Sequence, residues 1–401
     1  MPYVKNDWKN TSTGGTPITA ERLNKMETQY DAAMTDTQSA LAGKLDVTAA
    51  ATTYAEKPSF NPIRPSGKVD VVGDGEIVAN LRKWAFANGT DDTNAIQDCL
   101  SAVQAAGGGR VLAPTGDYTH VSNGIPRWVI LEGHGYRTRF IRKANSPAQH
   151  QFTLLNANVE FAGLRHLTVH GNKSAQTEAA DCINFDNTGG SFSFYDPSLV
   201  LEHVVMYLSK GRGAYISAGG RESKFYNVRA QGSDGHGMEI LATDTVMTAL
   251  TAAASGGTGL VLRGTNSRFV GIKAFGGLGT GIGLFGQRNT LSASEAQDNE
   301  GSGYLVTGND NQLLGAIADS NGFGHLSDGF AGFEFQDTQY TLLRGSAMDR
   351  KPTKSQAYGM KFVGTNTFFD GAVMAHDNAT SNKTGTIGSG RLFVNGFSTP
   401  L

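Results

Sequence analysis

Apolar residues recur along this chain with two superimposed periods. Between residues 213 and 373, seven segments share one pattern: a glycine, an apolar residue, a variable residue and a second apolar residue. The glycines are Gly213, Gly237, Gly259, Gly281, Gly303, Gly332 and Gly359, at steps of 24, 22, 22, 22, 29 and 27. The last apolar position is Ile216, Ile240, Leu262, Leu284, Val306, Phe335 or Phe362, and the variable one before it is Tyr215, Glu239, Val261, Gly283, Leu305, Glu334 or Lys361. In-out-in alternation is the period of a strand with one buried face. A second column keeps the same step: Phe225, Met247, Phe269, Leu291, Leu313, Leu342 and Phe368. Five residues after each comes Ala230, Ala252, Ala274, Ala296, Ala318, Ala347 or Val373. Two strand signals returning to the same columns predict an all-β solenoid, a parallel β-helix with coils of ~22 residues stacked ~4.8 Å apart. A sandwich of antiparallel hairpins would instead place tight turns every ~8–12 residues, with no fixed long period.

The flanks read differently. Thr19 is placed to cap a helix running to about residue 42. Its less polar positions, Leu23, Met26, Tyr30, Ala33, Thr37 and Ala40, are spaced 3, 4, 3, 4 and 3, an a/d heptad pattern. So short a helix is marginal alone, so association with copies of itself, or docking on another surface, is expected. Pro58, Pro62 and Pro65 mark a stiff linker. The organisation expected is a helical self-association segment over 1–56, a linker over 57–69, a short helix and β-helix over 70–375, and a closing segment over 376–401. The short helix starts at Thr90 or Asp91, buries Ile96, Leu100 and Val103, and stops near Ala106 before Gly107-Gly108-Gly109. Arg110–Pro114 reads as the first strand and Trp128–Gly135 as the next. In the closing segment, Leu392-Phe393-Val394 and Phe397 predict a closing strand or a subunit contact.

Charge and composition narrow the partners. A net charge of −2 over 401 residues gives no general case for nucleic acid or anionic membranes. No apolar run is long enough to insert in a membrane. The first residues, Met1 to Trp8, have no apolar signal region, so synthesis and folding in a cytoplasm are expected. The 52 glycines, against a usual ~7%, fall at coil corners. Cys99 and Cys182 are too few for a disulfide framework.

Three motifs carry a resemblance. Asn88-Gly89-Thr90-Asp91-Asp92-Thr93 with Ala95-Ile96-Gln97, then Gly107-Gly108-Gly109-Arg110-Val111 with Pro114, Gly116 and Tyr118, then Ile130-Leu131-Glu132-Gly133-His134-Gly135 resemble the opening of pectate-lyase-like right-handed β-helix domains of phage tailspikes. In that family the short helix caps the solenoid. The stretch from Thr16 to Glu27, Thr-Pro-Ile-Thr-Ala-Glu-Arg-Leu-Asn-Lys-Met-Glu, is similar to the start of minor tail and tail-fibre proteins of phages of Gram-positive hosts. The resemblance implies a homotrimer in the virion tail, held to other tail proteins through residues 1–50. It also implies adsorption to a host cell-surface polysaccharide, or, as the alternative, depolymerisation of that polysaccharide by hydrolysis or elimination. No cofactor is expected.

Irregularities in the repeat point to candidate sites. Extra residues follow Ala318 and Ala347, at one corner of adjacent coils, and bring in His325, Asp328, Arg350 and Lys354. Stacked loops on a rigid solenoid are where repeat proteins bind ligands. An earlier insertion carries Phe192, Phe194 and Tyr195, suited to sugar stacking or to a subunit contact. Asp234, His236 and Glu239 collect a possible base and acid, although the glycines beside His236 belong to the repeat. Glu239 and Glu334 share a column but stand four coils apart, about 19 Å, too far for a glycosidase pair. The loop ending at Asp181 offers Glu178 and Asp181 as partner carboxylates. No metal site is expected, because Asp91 and Asp92 belong to a helix cap and Asp181 and Asp186 read as isolated.

Overall fold

The computed structural model describes residues 69–72, 76–85, 90–156, 160–187, 199–394 and 397–399. The heptad helix, the attachment segment and the aromatic loop of Phe192, Phe194 and Tyr195 lie outside the described residues. A regular coil has three strands, as in Lys224–Tyr226, Arg229–Gln231 and Met238–Ile240. Among the described residues, third strands stack into an 11-stranded sheet and the others into a 21-stranded sheet. The third-strand register runs Tyr215, Glu239, Val261, Gly283, Leu305, Glu334, Lys361, all parallel, so the variable column read from the sequence is one outward ladder.

Residues with positive φ make the corners. Asn227, Ala249, Gly271, Ala293 and Gly315 separate first from second strands, and Gly232, Ala254, Gly276, Asp298 and Ser320 follow the second. A third column, Glu222, Asp244, Asn266, Arg288 and Asp310, precedes the first strand. Corner amides reach the next coil, as Asn227 N does to the Thr248 carbonyl at 3.0 Å. The inward columns Phe225, Met247, Phe269, Leu291, Leu313 and Ala230, Ala252, Ala274, Ala296, Ala318 are buried. The alanines face the repeat glycines. A Cβ on Gly237 would lie 2.5 Å from the Gly259 carbonyl and 2.7 Å from the Ala252 Cβ, so only a small pair fits this corner.

The expected columns slip after Leu313. Leu343, not Leu342, pairs with Leu313, and Ala375, not Val373, pairs with Ala347. Phe368 is 55% exposed and Phe369 enters the core instead. The Leu343 slip follows from a register shift at Leu314/Ala316, where Gly315 has no counterpart in the strand Leu342–Met348; the next pair then keeps one register from Leu342 opposite Asp370 to Met348 opposite His376. The first strand also lies earlier than expected. Val69–Val72 and Glu76–Asn80 pair antiparallel, and the second of these starts the parallel ladder on Gly109–Ala113. The ladder runs on to Gly390–Val394, which turns back antiparallel to Phe397–Thr399, a closing strand as expected.

The helix Thr93–Ala105 buries Ile96, Cys99, Leu100 and Val103 over the first coils. The Asp91 carboxylate accepts its first amide, Thr93 N, at 3.0 Å. Inside the later corners, buried amides form a ladder that the apolar pattern did not predict. Asn299 N and Nδ2 donate to Asn321 Oδ1 at 3.3 and 2.9 Å, and Asn321 Nδ2 donates to the Ala296 carbonyl at 2.9 Å. Asn289 and Asn311 repeat the arrangement at another corner.

Candidate functional site

Among the described residues, a network of buried charge lies where the second strand turns into the third. The residue three before each third-strand centre forms its own column: His150, Asp181, Arg212 and His236, beside Thr153, Asn184, Tyr215 and Glu239. Backbone amides tie this column coil to coil. Asp181 N donates to His150 Nδ1 at 3.0 Å, Arg212 N to Asp181 Oδ1 at 2.7 Å, and Thr258 N to His236 Nδ1 at 3.0 Å. The Arg212 guanidinium then forks. Its Nη2 lies 2.9 Å from Asp181 Oδ2 and its Nη1 2.7 Å from Glu239 Oε2. Arg263 Nε takes the other Glu239 oxygen at 3.0 Å. Asn184 Nδ2 donates to Asp181 Oδ2 at 3.0 Å. The Asp181 and Glu239 side chains are 5% and 15% exposed.

Each arginine lies over an aromatic ring, Arg212 at 4.3 Å from the Tyr215 centroid and Arg263 at 4.8 Å from that of Phe285. Phe285 folds across Gly283, where a Cβ would sit 2.5 Å from the ring. The result is an outward surface of aromatic and guanidinium planes over a fixed charge network. Burial pushes the Glu239 carboxyl up, but hydrogen bonds from Arg212 and Arg263 and their charges outweigh it and hold it below the ordinary value. Burial pushes the His150 and His236 imidazoles down, which keeps both neutral at pH 7. Asp181 and Glu239 are two coils apart, about 10 Å along the axis, and one guanidinium spans them.

Of the sequence candidates, the structure thus brings together His236 and Glu239 within this network. Asp234 faces away, paired with Lys173 at 2.8 Å and Lys210 at 3.2 Å. His150, Asp181 and Arg212 were not read as a group. They follow one another at steps of 31, the period of the coils before Gly213, and a search at 22 does not align them.

The oversized corners stack as expected. His325 sits between Glu300, 3.2 Å from Nε2, and Asp328, 3.2 Å from Nδ1, in a cavity of about 300 Å³ that Leu278 and Phe330 also line. Arg350 is taken by Asp319, and the Lys354 ammonium by the Asp349 carbonyl. This corner therefore gathers His325 and Asp328, adds Glu300, and holds Arg350 and Lys354 on other acceptors. Glu334, in the Glu239 column, accepts from Ser302 Oγ at 2.7 Å. Among the described residues, no group of three or more His, Cys, Asp or Glu side chains is placed to share a metal ion, and no helix is long and apolar enough to cross a membrane.

No family model matches this sequence, and no curated protein matches it. Solved structures match in fold. The enzymatically active domain of tailspike protein 2 from bacteriophage CBA120 superposes with a TM-score of 0.68 at 18% identity, covering 82% of this chain and 52% of that one. The A-module of mannuronan C-5 epimerase AlgE4 from Azotobacter vinelandii gives 0.58 at 20% identity, covering 76% of this chain and 100% of that one. The catalytic unit of a GH87 α-1,3-glucanase from Streptomyces thermodiastaticus gives 0.51 at 16% identity, covering 82% and 72%. At these identities the likeness is one of fold: this is a right-handed parallel β-helix, the fold that phage tailspikes carry.

Proposed function

We propose that this chain is a phage tail spike or fibre protein that binds a host cell-surface polysaccharide along its β-helix. It works in the virion tail as a homotrimer, attached to other tail proteins through residues 1–50. Structural neighbours named as a tailspike, an epimerase of mannuronan and a glucanase support a polysaccharide as the ligand. The observation that carries the binding reading is the sharing of Arg212 by Asp181 and Glu239. A glycosidase needs one carboxyl kept protonated as the acid. Here Glu239 is held ionised by two arginines, and the Asp181 carboxylate is taken by Arg212 and Asn184. Tyr215, Phe285 and the exposed side of Arg263 supply the stacking and hydrogen-bonding surface that pyranose rings require.

One observation favours the second reading, a depolymerase. His236, neutral and close enough to Glu239 to feel its charge, is suited to abstracting a proton by general-base catalysis. Incubating the full chain with purified host envelope glycans distinguishes the two. Binding without new reducing ends or unsaturated products is expected, and Arg212→Met weakens it. Release of oligosaccharides would establish the depolymerase instead, and neither binding nor release would sink both. Sedimentation of the full chain is expected to give a trimer, and a monomer at micromolar concentration would refute the attachment model.

A further inference from the structure

A second concave site lies on a different face, that of the first strands. Its outward rows follow from the register. Arg165, Glu202 and Tyr226 are paired neighbours on three successive coils, as are Gly163, Val200 and Lys224. Arg165 Nε approaches Glu202 Oε2 at 3.3 Å. Phe161, 36% exposed, stands at the edge of this patch and Tyr226, 50% exposed, at the far end. Gly163 packs directly on the next coil, where a Cβ would fall 1.9 Å from the Val200 carbonyl. The resulting notch has a volume of about 330 Å³, with Val200 and Leu201 as floor.

The chemistry of the lining is selective. Two exposed aromatic rings flank these charges, Tyr226 in register with Arg165 two coils before it and Phe161 four residues along from Arg165, and their faces suit the apolar faces of a sugar chain. Arg165 and Lys224 set two cations against the single carboxylate of Glu202. Lys224 is exposed, and among the described residues no carboxylate pairs with it. A neutral sugar would leave that ammonium unused, whereas a sugar carboxylate would meet it and the Arg165 guanidinium together.

We propose that this notch is a second glycan subsite, specific for a carboxylated sugar residue. It rests on the polysaccharide-binding reading and extends it. One polysaccharide strand engages the arginine-bridged surface, and acidic sugars engage the first-strand face of the same coils. Two weak sites on a rigid body raise the overall affinity through effective concentration, with no new contact at either site.

The test titrates the full chain with a β-linked glucuronate oligosaccharide and with its carboxyl-reduced counterpart at low salt. The wild type is expected to prefer the carboxylated form about tenfold, as one charge-assisted contact would give. Lys224→Met should reduce that preference to about twofold or less with an unchanged melting temperature, and Tyr226→Ala should weaken both oligosaccharides alike. A preference that survives Lys224→Met, or no preference in the wild type, overturns the notch while leaving the host-glycan assay and the proposed function intact. Failure of the wild type to bind host glycan would remove both.

Discussion

Replacing Arg212 with methionine tests the charge network directly. The substitution keeps a long apolar stem over Tyr215 and removes the guanidinium from Asp181 and Glu239. Breaking a buried ion pair from one side costs about 3–5 kcal/mol, because the remaining charge is left in a poorly solvated place. Glu239 keeps Arg263, and Asp181 keeps Asn184. Partial compensation places the expected loss near the lower end, about 3 kcal/mol at pH 7. The pH dependence has a fixed sign. In the wild type the Glu239 pKa is lowered on folding, so its contribution is present above the ordinary glutamate value of about 4.3 and is lost as the pH falls through the folded value. The variant lacks part of that lowering, so the gap between the two proteins should narrow on the acid side. Urea unfolding of both proteins between about pH 7 and about pH 2.5 measures this. A loss under about 1 kcal/mol at pH 7, or a gap that widens in acid, would refute the argument that Arg212 compensates two buried carboxylates.

Two further outcomes follow from other buried groups. Asn321→Ala leaves the Ala296 carbonyl and the Asn299 side chain short of a partner, a loss of about 2–6 kcal/mol at ~1–3 per orphaned group, and amide exchange around Asn299 should accelerate most. His120 is buried against Asn123, and burial holds its pKa down at about 4. Its contribution is complete above the unfolded value of about 6.5 and declines by up to about 1.4 kcal/mol per unit as the pH falls toward the folded value, so His120→Gln should flatten that limb of the stability profile.

The coil period, the three-residue strands and the outward ladder from Tyr215 to Lys361 were legible because alternation over a fixed step is a property of apolar spacing alone. The slip to Leu343 was not, since deleting a bend residue shortens a coil without changing its hydrophobic content. The stacked corner was visible as surplus length, and it does place His325 against Asp328. Which cation met which acid was not visible: Arg350 turns to Asp319, a residue that reads as one more polar end of a strand. Asp181 looked isolated for a related reason. Its partners sit 31 residues before and after it, while the dominant repeat is shorter, so charge complementarity was hidden behind a change of period.

The left-handed corners bear on how such a chain acquires its shape. A non-glycine residue held at positive φ costs roughly 1–2 kcal/mol, and positions such as Glu222, Asp244 and Arg288 accept that cost once per coil. Nothing within a single coil repays it. The compensating hydrogen bonds run to the coil after it, as from Asp244 N to the Thr265 carbonyl at 2.9 Å. An isolated coil therefore has no stable conformation, and a formed coil is the template on which its neighbour becomes affordable. Winding is expected to spread from a seed, and among the described residues the helix packed over the first coils supplies local contacts for one.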